Sequence, residues 1–358
     1  MRTLTLRELN RATLARQLLL ERRPLSVTGA LERTAGLQAQ WPPSPYIGLW
    51  SRVDGFQPDD LVRAVARRRV VKATLMRTTL HLVSSADYLA YAGIYRASRI
   101  RELQRRLAAL GEDADFAEEG ARLAALASER PRTRPELLAL LGMPKLRIEE
   151  RSPWLLWYGL SAHAGLVNGP QSSVWRSHTA GGTFVPARTW LGADGASGDD
   201  AAAHLVRRYL AAFGPASRAD IAQWTGMARS VVDQGLAELR LRRFSDELGR
   251  ELYDLPRAPL PPGDTPAPPR FLPRWDNLLL AHDVRTRAFP DEYRKTIIER
   301  NGDVAETFLV DGFVAGQWRV EGGRVRLAPF APLPRGVRRE VEDEAGRLEA
   351  FLRAAGKL

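Results

Sequence analysis

The sequence predicts an α+β protein, mainly helical: three tandem winged-helix units, then an antiparallel β-sheet or small barrel and a terminal helix. Three observations predict it. The segment Thr133-Arg134-Pro135-Glu136-Leu137, ending in Gly142-Met143, recurs as Ser217-Arg218-Ala219-Asp220-Ile221, ending in Gly226-Met227. A run of β-branched and apolar residues from Val70 to Val83 follows a set of helical segments, as a wing follows its helices. From Thr307 onward the apolar pattern changes to period two.

The elements follow in order. Residues 5–22 carry Leu6, Leu9, Ala12, Leu14, Leu18 and Leu19 at helical spacing, with arginines on a face that reads as solvated. Pro24 ends that helix; residues 27–38 read as a second, 46–52 as a short third, and Asp59-Asp60 open a fourth. Val70 to Val83 supplies strands, and Ser85-Ala86-Asp87 caps a long helix towards Leu110. In each repeat a hydroxyl (Thr133, Ser217) and an acid three residues on (Glu136, Asp220) suit a reciprocal helix cap. Gly142 or Gly226 then suits the left-handed turn that ends the helix. Residues 164–188 and 243–254 read as wings, the latter turning at Leu248-Gly249. The predicted units are 1–115, 116–195, 196–256 and 257–358. The last opens on a proline-rich stretch, Pro256 to Pro269, that is a semi-rigid linker or a loop packed on the surface. Thr307–Val310, Phe313–Val320 and Arg324–Leu327 read as strands joined at Asp311-Gly312 and Gly322-Gly323. A helix over 336–355 presents Val337, Val341, Ala345, Leu348, Phe351 and Leu352 to a core.

Composition bounds the function. The net charge of +11 points to a polyanion, nucleic acid before an anionic membrane surface. Only four of the 53 basic residues are lysine, and arginine's planar fork suits phosphate. The absence of cysteine excludes disulfides, thiolate catalysis and cysteine-based zinc sites. The five histidines show no ligand spacing, so neither metal nor cofactor is expected. No stretch has signal-peptide or membrane-spanning character, and no heptad segment suggests a dimer. A monomeric cytoplasmic protein working on the nucleoid is expected.

The stretch with most chemical character is Gly36-Leu37-Gln38-Ala39-Gln40-Trp41-Pro42-Pro43-Ser44-Pro45-Tyr46. Pro42 disfavours helix at Trp41, and Pro43 and Pro45 keep the following residues extended. On extended backbone Gln38 and Gln40 share a side, so two carboxamides can converge. Spacing alone favours a frayed helix end with solvated glutamines. This stretch resembles the Gln-x-Gln catalytic motif of the winged-helix DNA glycosylases of the AlkZ and YcaQ type. Met76-Arg77-Thr78-Thr79-Leu80-His81-Leu82-Val83 resembles the same family. So does Leu272-Pro273-Arg274-Trp275-Asp276-Asn277-Leu278-Leu279-Leu280-Ala281-His282, continued by Asp311 to Trp318. YcaQ-type members carry Gln-x-Asp; Gln40 here resembles the AlkZ side, associated with self-resistance to DNA-alkylating antibiotics.

The resemblance implies a glycosylase for bulky N7 or N3 purine adducts in double-stranded DNA, crosslinks in some cases, with Gln38 and Gln40 catalytic. Candidate DNA contacts are Trp41, Ser44 and Arg52 near that loop, then Arg77, Thr79 and His81, which share a face if they lie on one strand. Trp275, Asp276 and His282 are further candidates, against the reading of a core strand with a buried Trp; Arg285 and Arg287 suit phosphate. Glutamine is not a general base near neutral pH, so labile cationic lesions are the expected substrates and uracil is not. A lyase step needs a site amine, and no lysine lies in the Gln38–Tyr46 loop, so the enzyme is expected to be monofunctional. The rival is a non-catalytic winged-helix DNA-binding protein such as a transcription factor.

Overall fold

The computed structural model describes residues 1–112, 115–142, 149, 153–173, 175 and 182–356. Strand β1 (Thr3–Leu4) leads into helix α1 (Leu6–Arg16), opened by a reciprocal cap between Thr5 and Glu8. Ser26 caps α2 (Val27–Thr34); β2 (Leu37–Gln38), α3 (Ser44–Trp50) and α4 (Pro58–Ala66) follow. The hairpin β3 (Val70–Thr74) and β4 (Leu80–Ser84) precedes the long α5 (Ser85–Ala108). Next come α6 (Ala117–Glu129), β5 (Arg132–Thr133), α7 (Arg134–Leu141), α8 (Pro153–His163), β6 (Leu166–Asn168), β7 (Thr183–Pro186) and α9 (Ala187–Leu191). Then α10 (Asp199–Phe213), α11 (Arg218–Thr225) and α12 (Arg229–Ala237) run into the hairpin β8 (Arg242–Asp246) and β9 (Glu251–Asp254). The C-terminal part holds β10 (Arg270–Leu272), α13 (Arg294–Ile297), β11 (Thr307–Val310), β12 (Phe313–Glu321), β13 (Arg324–Pro329) and α14 (Arg335–Ala354).

The repeat carries the local chemistry its residues predict. Thr133 with Glu136, and Ser217 with Asp220, form reciprocal caps; Gly142 (φ 64°) and Gly226 (φ 72°) end their helices left-handed. Met143 and residues 174 and 176–181 of the predicted wing lie outside the described residues. Asp311 (φ 46°) and Gly312 (φ 80°), then Gly322 (φ 58°) and Gly323 (φ 71°), make the two predicted hairpin turns.

Five features depart from the sequence reading. Ser44 and Pro45, expected to be kept extended by the prolines, instead open α3, because Pro43 is already helical (φ −67°, ψ −27°) and proline suits a first helical turn. The second helix stops at Thr34, not residue 38, because Ala35 (φ 59°) and Gly36 (φ 84°) turn left-handed. The strands of the first two segments share one sheet of order β2-β4-β3-β6-β7-β5, rather than standing as separate wings. Strand β1 pairs in parallel with β8, so the first segment lends its opening strand to the third. The arginine face of α1 is interior: Arg16 makes a bidentate pair with Asp254 (2.7 and 3.1 Å) and Arg11 pairs with Asp311. These arginines also strap down the proline-rich stretch, with Arg11 donating to the Thr265 carbonyl (2.6 Å) and Arg16 to that of Pro259 (2.8 Å). The stretch is thus a packed loop.

The C-terminal strands form an open sheet of order β10-β11-β12-β13, not a closed barrel. Helix α14 lies on it through Val341, Leu348 and Leu352, sharing a core with Leu37, Ala39, Leu82 and Phe271. That shared core fixes the C-terminal part against the glutamine stretch. Among the described residues no helix is long and apolar enough to cross a membrane.

Candidate catalytic site

Gly36 sets the path of the glutamine stretch. Its φ of 84° suits glycine, and a Cβ there would lie 2.7 Å from Val83 Cγ1 and 2.8 Å from the Leu82 carbonyl. The close approach lets β2 pair with β4, Leu37 opposite Leu82 and Gln38 opposite His81, with Ala39 N donating to the Leu80 carbonyl (2.7 Å). Leu37 and Ala39 enter the core, so Gln38 and Gln40 take the other side, as alternation requires. Gln38 is buried and Gln40 exposed. Both carboxamide oxygens are engaged. Gln40 Oε1 accepts from Leu80 N (3.1 Å), standing in for a strand carbonyl, and Gln38 Oε1 accepts from Arg77 Nη2 (2.8 Å).

Arg77 and Thr79 do not lie on a strand with His81, as the sequence reading supposed; Met76–Thr78 is a tight helical turn between β3 and β4. Arg77 (φ 50°) and Thr78 (φ 59°) are left-handed non-glycine residues, a strained pair held by its surroundings. Gly226 is one holder: a Cβ there would lie 3.1 Å from Arg77 N. Arg77 Nη1 also donates to the Trp224 carbonyl (3.1 Å), and Nη2 to Asn277 Oδ1 (3.3 Å). Burial lowers the guanidinium to about 10, helped by the charge of Arg285, so Arg77 stays cationic at neutral pH. The fully buried His81 is pushed down to about 3 by burial and by Arg77 and is neutral. Its Nδ1–H points at the Thr79 carbonyl (3.1 Å), which leaves Nε2 as an acceptor with the Asn277 amide beside the ring. Thr79 Oγ1 donates to the Met76 carbonyl (3.0 Å) and closes the turn. The arrangement offers two fixed carboxamides, a cation and a neutral imidazole.

A family model described as DNA glycosylase AlkZ-like matches residues 31–351. The chain belongs to the AlkZ-like DNA glycosylases. The interstrand DNA cross-link repair glycosylase of Streptomyces sahachiroi is 24% identical over 371 residues, covering 93% of this chain and 92% of that protein. The solved structure of Streptomyces sahachiroi DNA glycosylase AlkZ has the same fold, with a TM-score of 0.80 at 21% identity over 99% of this chain and 97% of that one.

In this glycosylase several predicted DNA contacts are interior. Arg52 and Asp276 have fully buried side chains and form a bidentate pair with each other (2.8 and 2.9 Å). His282 is buried among Tyr209 and Phe213, bonded to the Phe213 carbonyl (3.0 Å) and lowered to about 3 by burial and Arg287. Arg287 is buried and donates to the Pro215 carbonyl (3.0 Å); Ser44 is buried and donates to that of Arg274 (2.7 Å). These five side chains lie inside the protein and bond to protein groups. Trp41, Trp275 and Arg285 are part-exposed.

Two residues were missed. Arg274 lies over the rings of Trp275 (4.6 Å) and Trp41 (5.9 Å), joining the two aromatic candidates. Asn277, fully buried, reaches both Arg77 and the Gly36 carbonyl (3.1 Å). Its signal was its place within the Arg274–His282 stretch, which showed importance but not partners.

Proposed function

We propose that this glycosylase hydrolyses the N-glycosidic bond of N7- or N3-alkylated purines in duplex DNA, including bulky and interstrand-crosslinked adducts. The observation that carries the reading is the pair Gln38 and Gln40 on one side of an extended run, each with its oxygen anchored. An N7-alkylated purine is already cationic, so its departure needs no strong acid. What remains is to place a water on C1′ and to steady the sugar cation. Two anchored carboxamides are suited to both, through their free lone pairs and N–H groups. The neutral His81 adds no positive charge.

Arg77 adds one, and it has no carboxylate ion pair among the described residues. A lone cation beside a developing sugar cation would oppose the reaction, because like charges repel strongly where the effective dielectric is low. A phosphate of the lesion strand seated on Arg77 and the neighbouring Arg285 offsets that. Trp41 and Thr79 from the first segment and Trp275 from the C-terminal part complete the surface offered to DNA. The enzyme works as a monomer in base excision repair or in self-resistance to an alkylating antibiotic.

The product is an intact abasic site. Lys72 stands level with Leu82 and Leu37, on the core side of the sheet and opposite the Gln38 face, and donates to the Ser172 carbonyl (3.2 Å). It is therefore not placed for a Schiff base at the glutamines.

The test is base release from duplexes carrying N7-methylguanine, a bulky N7-guanine adduct, or a crosslink. Release by the natural enzyme, lost in Gln38→Ala/Gln40→Ala with DNA binding kept, supports the reading. Release that survives the double substitution moves the chemistry elsewhere. Binding without release from any lesion favours a non-catalytic DNA binder.

A further inference from the structure

The buried Asn277 touches neither glutamine, yet two of its contacts lie one step from Gln38. Its Oδ1 accepts from Arg77 Nη2 (3.3 Å), the same nitrogen that donates to Gln38 Oε1 (2.8 Å). Its Nδ2 donates to the Gly36 carbonyl (3.1 Å), two residues before Gln38 in the chain. The partners fix which way the amide faces: a guanidinium can only donate to it and a carbonyl can only accept. His81, opposite Gln38 in the ladder, also has Asn277 beside its ring.

Asn277 is itself held. Asp276 accepts from Leu278 N (2.9 Å) and caps the short turn Asn277–Leu279, while Arg52 grips the same carboxylate from α3's C-terminal end. A buried ion pair, a capped turn and one amide thus form a continuous series ending at the Gln38 carboxamide.

We infer that Asn277 is a positioning residue for the glycosylase reaction, acting through Arg77 and Gly36 to set where the Gln38 carboxamide points. This rests on the catalytic reading of Gln38. Without Asn277, Arg77 Nη2 loses one of its two acceptors and Gly36, just before β2, loses its hydrogen bond to the C-terminal part. The Gln38 amide then gains freedom to swing, and the water it holds loses its line on C1′.

A double-mutant cycle separates positioning from general damage. Single-turnover release of N7-methylguanine is measured for the natural enzyme, Asn277→Leu, Gln38→Ala and the double variant, with DNA affinity and thermal unfolding alongside. Asn277→Leu is expected to slow release by about 10- to 100-fold, the scale of a misplacement near 1 Å, with DNA affinity unchanged. In the Gln38→Ala background it should cost nothing more. Losses that multiply in the double variant overturn the inference, as does a full rate in Asn277→Leu while Gln38→Ala is slow. A full rate in Gln38→Ala instead overturns the catalytic reading, and this inference with it. If Asn277→Leu does not fold, Arg77→Lys runs the same cycle, since an ammonium cannot span Gln38 and Asn277 as the fork does; the same two patterns decide.

Discussion

Asp276→Ala tests how much the buried ion pair holds. Both side chains have 0% exposure, and the carboxylate takes two bonds from Arg52 at 2.8 and 2.9 Å and one from Leu278 N at 2.9 Å. Removing it strands a buried guanidinium whose remaining acceptors are the Gly48 carbonyl (3.1 Å) and Gln17 Oε1 (3.4 Å). Breaking such a pair costs about 3–5 kcal/mol, a large share of a typical stability of about 5–15 kcal/mol. The melting temperature should fall by about 4–7 °C, read by calorimetry or circular dichroism. Arg243→Ala is the control: its partner is Glu251 at 3.1 Å, but the two side chains are 66% and 40% exposed. That pair should be worth less than about 1 kcal/mol. Pairing Arg52→Met with Asp276→Leu should recover much of the loss, because neither charge is then left buried. A loss for Asp276→Ala as small as that of Arg243→Ala refutes the reasoning.

Gly36→Ala should destabilise by roughly 2–4 kcal/mol through its positive φ and the clash with β4, and should slow base release as β2 is pushed away; denaturant titration and single-turnover rates check both. Stability should fall with acid from pH 6.5 towards about 3, because His81 and His282 take protons at 6.5 when unfolded but only at about 3 when buried. The unfolded chain binds more protons in that window, so stability rises with pH by up to about 1.4 kcal/mol per unit for each histidine; unfolding at pH 4 to 7 reads the slope. Borohydride should trap no covalent adduct with DNA carrying a released base, by gel shift under denaturing conditions. Arg285→Ala should weaken DNA binding and lower the salt slope by about one unit.

The parts legible in the sequence are those set by neighbours in the chain. Pro42 announced the break from helix at Trp41, Thr133 with Glu136 and Ser217 with Asp220 announced their caps, and Asp311-Gly312 announced its turn, whereas the turn at Ala35 and Gly36 lay inside a stretch read as helix. The parts missed are pairings across the chain. Arg16 read as part of a solvated face, and Arg52 and Asp276 as candidate DNA contacts, since nothing local tells an arginine that its partner is more than two hundred residues away. For the same reason the glutamines were visible while Asn277 was not: the former lie in one short stretch, the latter only meets them in space. His282 misled because its polarity suggested a surface role, whereas Phe213 and Tyr209 enclose it.

The bond from Asn277 back to the Gly36 carbonyl spans a separation of 241 residues, and the bonds from Arg11 and Arg16 to the proline-rich loop span 254 and 243. On the ribosome, then, the glutamine stretch is made early and finished late. While the chain grows, both glutamines are out of the exit tunnel with no partner from the C-terminal part to seat them. Contacts so distant in sequence also slow folding. A nascent or truncated chain that stops before residue 277 therefore carries Gln38 and Gln40 but lacks the amide that bonds Arg77 and the Gly36 carbonyl.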